Sequence, residues 1–205
     1  IFGAWLYRRE HARLGDWFDV RLARDTVSMR VEEELDDGVL IRVRMGRATF
    51  EGSDVGFVPE RGIARDFPLQ LPSGASAVVN TVSLGNPHCV VFVDELRRTD
   101  FLERAPQLCT HTAFAAGTNV QFARIIGPRE LEAWIWERGA GETLASGSSA
   151  CAVAAAAVSR GEVEPGQFVV GMQGGNVEVT VSPEFEIELL GPASMVYRGE
   201  MLEGT

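Results

Sequence analysis

Ser148-Ser149-Ala150-Cys151-Ala152-Val153-Ala154-Ala155-Ala156-Ala157-Val158-Ser159-Arg160 constrains the fold more than any other stretch of this chain. Alanine is the strongest helix former, so the run predicts a helix over 148–160, and Gly161 supplies the glycine that commonly ends one. The helix is apolar on every side. With no polar face to turn to water, it has to be enclosed by other structure.

The rest of the chain supplies the enclosure. Runs with a period near two fall at 17–22, 26–31 and 39–45, separated by Asp, Gly and Glu turns, and read as antiparallel strands. Further strands are expected at 77–82, 89–93, 119–123, 130–136, 168–181, 184–190 and 193–201. A short helix is expected at 100–108. Residues 1–11 read as a helix already under way, with apolar residues at 1, 2, 5 and 6 and no capping residue ahead of them. Ile1 is not an initiator Met, and the expectation is that a segment precedes it. Residues 46–66 are rich in Gly, Pro and charge without periodicity, and are the candidate for a domain crossing. The skeleton is α+β, with many strands wrapped around a buried helix.

Composition excludes several function classes. The net charge of −10 leaves no basic face for phosphates, which argues against nucleic-acid binding. No window approaches the 18 or so apolar residues of a membrane span, so no membrane partner is expected. All 19 basic residues are Arg, so this chain can form no lysine Schiff base, which argues against pyridoxal phosphate and class I aldolase chemistry. Cys89, Cys109 and Cys151 match neither a zinc framework nor a disulfide scaffold, and a reducing cytoplasm is the expected compartment.

The chemistry is concentrated just before the buried helix, in Trp136-Glu137-Arg138-Gly139-Ala140-Gly141-Glu142-Thr143-Leu144-Ala145-Ser146-Gly147-Ser148. Free backbone N–H groups and the dipole at a helix start suit a small anion, most simply a carboxylate. Ser146 or Ser148 serving only as an N-cap is an equally good reading on spacing alone. Capping does not explain Glu137 and Arg138, two charges that cost energy at a buried entrance unless paired or used. A serine-hydrolase elbow, Gly-x-Ser-x-Gly, is absent. His88 lies in a polar turn, where a histidine bonded to the backbone would be the commoner case were its neighbours not Gly85, Asn86 and Pro87. Trp5, Trp17, Trp134 and Trp136 are expected in the core, and Arg97-Arg98 and Glu32-Glu33-Glu34 on solvated faces.

Three motifs then carry a resemblance: Gly85-Asn86-Pro87-His88 before an apolar strand, Glu137-Arg138-Gly139-Ala140-Gly141-Glu142-Thr143, and Ala145-Ser146-Gly147 opening an Ala-rich helix. In this order and spacing, with Gly117-Thr118-Asn119-Val120-Gln121-Phe122 between them, the chain resembles the diaminopimelate epimerases over about the last two thirds of the family's length. The resemblance implies two pseudo-symmetric domains, each with antiparallel strands around a central helix. Residues 1–45, rejoined by 193–205, would be the remainder of an incomplete first domain, and 46–192 the C-terminal epimerase domain. It implies a cytoplasmic, cofactor-independent isomerase of lysine biosynthesis, acting on a small amino-acid substrate as a homodimer and using no metal.

In the resembled mechanism two cysteines, one at each helix N-terminus, face opposite sides of the substrate α-carbon. Gly147 and Ser148 would hold the α-carboxylate, and Asn86, Asn119, Glu137 and Arg138 the distal end. His88 and Glu137 would adjust the proton affinities of the catalytic groups. The chain departs from the pattern at Ser146, which falls where the family has its second catalytic cysteine. A hydroxyl is a far weaker acid than a thiol and makes a poor base without an activator. The first catalytic cysteine would precede Ile1, so the numbered chain alone is expected to be inactive. Two alternatives stand beside the epimerase: a racemase or epimerase of the same fold acting on another amino acid, and an amino-acid-binding protein without catalysis.

Overall fold

A computed structural model describes residues 2–21, 26–58, 62–197 and 199. The chain forms two compact units, one made of Ile1–Arg44 with Leu190–Thr205, the other of Met45–Leu189.

In the first unit, α1 (Phe2–Arg8) precedes β1 (Trp17–Arg21), β2 (Thr26–Leu35) and β3 (Gly38–Arg47). The three strands pair antiparallel, with a register shift between Val31 and Glu33. Ala4 of α1 and Val31, Val39 and Ile41 of the strands form the small core. The helix stops at Arg8, three residues short of expectation, and Glu10 just beyond it has φ +61°. Trp5 is 37% exposed and stacks on Phe2 instead of entering the core. Trp17 is only half-buried, lying under the guanidinium groups of Arg30 and Arg44 at 4.9 and 3.9 Å. Of the expected acidic face, Glu32 takes ion pairs from Arg30 and Arg42, which hold its carboxyl below the usual range against the cost of burial.

The second unit holds the Ala-rich helix, α4 (Gly147–Ser159). Its other elements are α2 (Gly52–Val55), β4 (Phe67–Gln70), β5 (Ser76–Ser83), β6 (Pro87–Phe92), α3 (Arg98–Cys109), β7 (Asn119–Gly127), β8 (Glu130–Glu137), β9 (Gly141–Thr143), β10 (Gly166–Met172), β11 (Gly175–Val181) and β12 (Glu186–Ser194), the last of which begins here. The sheet order is β12-β11-β10-β8-β7-β6-β5-β4, with β9 on β8. Ten consecutive residues of α4, Ser149 to Val158, are buried. Val82, Val90, Ala123, Leu131, Ala133, Ile135, Val170 and Val179 of the strands close over it. The opposite sheet face carries Val79, Cys89, Val91, Val120 and Phe122 against Phe101, Ala105 and Leu108 of α3. Burial on both faces explains why β5 and β6 read as apolar runs.

The α+β class stands, but strand direction differs from the antiparallel reading in two places. β6 pairs parallel to β7, and β8 parallel to β10. A helix lies between the members of each pair, α3 in the first and α4 in the second, and parallel neighbours require such a crossover. Periodicity carries no information on direction, so the strand pattern alone misses this. The single run expected at 168–181 is the hairpin β10–β11, turned at Gln173-Gly174. The strand expected at 193–201 is not separate: β12 continues to Ser194, 195–197 are irregular, and 198 and 200–201 lie outside the described residues, as do Ile1, Leu22 and 59–61. α2 and β4 are each only four residues long, too short to show a period in the sequence.

Arg160, Gly161 and Glu162 close α4. The Gly161 N–H reaches the Val158 carbonyl, the Glu162 N–H reaches Ala157, and Gly161 has φ +74°. This is the paired 5→2 and 6→1 pattern that a left-handed glycine permits. Among the described residues no helix is long and apolar enough to cross a membrane.

Candidate active site

One end of the second sheet gathers the polar residues that the sequence singles out. β6 starts there with Pro87 and His88, and β7 starts beside it with Asn119, which is in register with His88. β8 ends there at Glu137 and turns through Arg138-Gly139-Ala140 into β9. The chain then passes Leu144, Ala145 and Ser146 and enters α4. The α4 N-terminus therefore opens at the sheet end that carries Asn86, His88, Asn119 and Glu137.

Ser146 stands at the N-cap with extended backbone (φ −154°, ψ 121°), yet its hydroxyl makes no capping bond. Its backbone N–H donates to the Met172 sulfur at 3.5 Å. The capping role weighed for Ser146 is thus not played by its side chain. The first intrahelical bond runs from Ala150 N–H to the Ser146 carbonyl at 3.0 Å. The amides of Gly147, Ser148 and Ser149 precede it and are left for a ligand or solvent, as at any helix start. Gly147 is close-packed: a Cβ there would stand 2.7 Å from Cδ2 of Leu189.

Behind this entrance runs a chain of hydrogen bonds among buried groups. Gln121 Nε2 lies 3.0 Å from Ser149 Oγ and 3.1 Å from His88 Nδ1, and His88 Nε2 lies 3.1 Å from Asn86 Oδ1. His88, Gln121 and Ser149 are fully buried, and Asn86 is half-exposed. Burial lowers the His88 pKa to about 4, with a smaller opposing effect from Gln121 and a smaller lowering from the nearby Arg138 charge. The imidazole is therefore neutral at neutral pH. The turn histidine is held by side chains, not by backbone.

Asn119 ties two loops together. Its Nδ2 donates to the Pro87 carbonyl at 3.1 Å, and its Oδ1 accepts the Arg138 N–H at 2.9 Å. Arg138 donates from Nη1 to the Ala116 carbonyl at 2.9 Å, while its side chain is exposed rather than buried as the cost argument supposed. With Cys109, Thr110, His111, Phe114 and Gly117 it lines a groove of about 560 Å³. Gly117 is obligatory there, since its φ is +69° and a Cβ would meet the Cys109 carbonyl at 2.8 Å. Glu137 is half-buried, and among the described residues neither its carboxylate nor the Ser146 hydroxyl joins these hydrogen bonds.

Sequence reasoning missed Gln121, Ser149 and the pairing of Glu142 with Arg98. The last is a two-pronged ion pair, 2.7 Å in its longer arm, that fixes β9 to the start of α3 and lowers the Glu142 pKa. Gln121 was detectable as a polar residue between Val120 and Phe122 in an apolar strand. The three cysteines are free and buried. Burial pushes the Cys151 thiol up to about 12 and raises Cys89 further, so neither forms a thiolate near neutrality.

The fold is that of solved amino-acid racemases and epimerases. A hydroxyproline epimerase from Agrobacterium vitis superposes with a TM-score of 0.72 at 12% identity, covering 96% of this chain and 64% of that one. A predicted epimerase from Pseudomonas aeruginosa gives 0.64 at 21% identity, covering 98% and 72%. In sequence, residues 80–196 match the family model of diaminopimelate epimerase. The diaminopimelate epimerase of Pelotomaculum thermopropionicum is 37% identical over 161 residues, covering 78% of this chain and 57% of the relative. That of a Synechococcus strain is 37% identical over 185 residues, covering 87% and 64%. That of Bacillus mycoides is 31% identical over 195 residues, covering 94% and 68%. The chain belongs to the diaminopimelate epimerase family. It spans 57% and 64% of the length of the first two of these relatives.

Proposed function

We propose that the full-length protein is an isomerase that inverts the α-carbon of LL- and meso-diaminopimelate by proton transfer without a cofactor, in lysine biosynthesis. The observation that carries this reading is the convergence of Asn86, His88, Asn119, Glu137 and Arg138 with the open N-terminus of α4 at one sheet end, in a chain of this family. The amides of Gly147 and Ser148 take the α-carboxylate, where the helix dipole offsets charge that develops as the α-proton leaves. Arg138 meets the distal carboxylate with its planar fork, and Asn86 and Glu137 accompany it at the amino-acid end. His88 contributes as a neutral hydrogen-bonding imidazole, since burial keeps it uncharged. Three free thiols support a reducing, cytoplasmic compartment.

Ser146 favours a second reading, binding without turnover. It occupies the helix N-cap where the family reaction uses a thiol, and among the described residues its hydroxyl makes no hydrogen bond to a side chain that could act as a base. The test follows deuterium uptake at the α-carbon of LL- and meso-diaminopimelate in D2O, with the full-length protein carrying Ser146 and with Ser146→Cys. Uptake by the native protein supports the isomerase with a hydroxyl on one face. Uptake only after Ser146→Cys supports a site that has lost its thiol. Binding without uptake in either supports the second reading and overturns the first.

A further inference from the structure

We propose that Gln121 is a positioning residue that fixes the tautomer of His88 and, through it, the orientation of the Asn86 carboxamide, so that one buried chain of hydrogen bonds holds the α4 entrance and the distal contact together. The inference deepens the reading of the site given above and rests on it for its catalytic meaning.

Donor accounting carries the argument. The Gln121 amide nitrogen has two hydrogens, and its two neighbours at hydrogen-bond distance are Ser149 Oγ at 3.0 Å and His88 Nδ1 at 3.1 Å. Nδ1 must then offer its lone pair, which places the proton of the neutral imidazole on Nε2. That proton points at Asn86 Oδ1, 3.1 Å away. The Asn86 oxygen is thereby engaged, and both Nδ2 hydrogens remain for a ligand. With the Gln121 amide reversed, two buried N–H donors would lose their partners, and the Asn86 carboxamide would have to turn its nitrogen towards the bare Nε2. The orientation present leaves one buried acceptor, Gln121 Oε1, without a partner among the described residues.

That orphaned oxygen argues against a purely structural role. Gln121 lies on the sheet face that packs on α4, where Val90, Ala123, Ala133 and Ile135 are apolar. An apolar side chain of similar length would fill the position without stranding an acceptor. What an apolar residue could not do is choose between the two nitrogens of His88. Every hydrogen of the Gln121 amide nitrogen is used, on Ser149 and on His88, and donors directed in this way leave the imidazole a single tautomer.

The test reads the tautomer directly. Nitrogen NMR of the uniformly 15N-labelled chain, with His88→Gln to identify the His88 resonances among those of His11 and His111, is expected to show Nε2 protonated and Nδ1 bare at neutral pH. Gln121→Glu, nearly isosteric, presents a carboxylate to Nδ1 and should draw a proton onto that nitrogen. Gln121→Met removes both donors and should yield a mixture of tautomers. In the full-length protein, Gln121→Met should lower α-proton exchange on meso-diaminopimelate by about 100-fold through misplacement of the groups it holds. Thermal unfolding of each variant reports whether the fold is kept, and should Gln121→Met fail to fold, the Glu variant decides alone. A native His88 protonated at Nδ1, or an unchanged tautomer in both variants, overturns the proposal. Absence of exchange in the native full-length protein overturns the isomerase reading instead, and the tautomer measurement, which needs no substrate, still decides the role of Gln121.

Discussion

The carboxamide oxygen of Asn119 accepts the backbone N–H of Arg138 at 2.9 Å, so the residue that opens β7 also sets where the Arg138 turn begins. The other end of the same carboxamide holds the Pro87 carbonyl. Asn119→Ala removes both bonds and should cost about 1–2 kcal/mol in chemical denaturation, given roughly 1 kcal/mol for each. Asn119→Asp keeps the acceptor for Arg138 but turns a carboxylate towards the Pro87 carbonyl. It should be no more stable than the alanine variant.

Gly117→Ala tests the floor of the Arg138 groove. The new methyl meets the Cys109 carbonyl at 2.8 Å, and the backbone stays in a region that side chains resist. A loss of about 2 kcal/mol or more is expected. Gly139→Ala is the comparison, since its φ is similarly positive but no atom lies within 4 Å of the added Cβ. It should cost less, and equal losses would show that contact with Cys109 contributes nothing.

Stability should fall as pH drops from about 6.5 towards 4. Folded His88 titrates near 4, and the unfolded residue near its ordinary 6.5. Between these values the unfolded chain binds the extra proton, so acid favours unfolding. Above 6.5 the residue is neutral in both states and contributes no slope. The full effect is up to about 3 kcal/mol. Carboxylates such as Glu32, lowered in the fold, add loss in the same direction, so the check is a difference. Urea unfolding of native and His88→Gln chains at several pH values should diverge across this window and run parallel above it.

None of the three thiols should react quickly in the native protein. Cys89 and Cys151 are fully buried with raised pKa values, and Cys109 is 5% exposed and raised by burial. Maleimide labelling followed by mass spectrometry should find no rapid modification in buffer and three in guanidinium. Rapid labelling of Cys151 would contradict the enclosure of α4.

Ala154 lies at the centre of that enclosure and is wholly buried. Ala154→Leu inserts three heavy atoms where neighbouring strands already touch, and overpacking of this kind costs about 1–3 kcal/mol or more. The same change at exposed Ala115, outside any helix or strand, should be nearly neutral by thermal unfolding.

The enclosure was legible because thirteen residues from Ser148 to Arg160 offer no face to water. Strand positions followed from alternation, but direction did not. Parallel pairing of β6 with β7 depends on where the chain goes during α3, which no local pattern states. The site was legible where residue types were unusual for their setting, as in Asn86-Pro87-His88 and Glu137-Arg138. Roles depended on geometry: Asn119 reads as a ligand contact and in the fold also joins two backbone groups through its carboxamide, and Arg138 reads as buried yet is exposed. Gln121 became visible only when the strand was seen to turn it towards α4. Trp5 and Trp17 were misjudged because large aromatics usually pack, whereas here one stacks on Phe2 at the surface and the other lies beneath two guanidinium groups.

The strands that cover α4 come from both sides of it in the chain, β5 to β8 before and β10 and β11 after. While the polypeptide is still leaving the ribosome at Arg160, a finished apolar rod lacks two of these six strands. Until the β10–β11 hairpin emerges, that rod is the segment a holding chaperone would grip. Once closed, no strand can peel away without uncovering it. The amides of its interior turns should therefore exchange with solvent only when the whole unit opens, and their exchange rate reports the stability of the entire second unit.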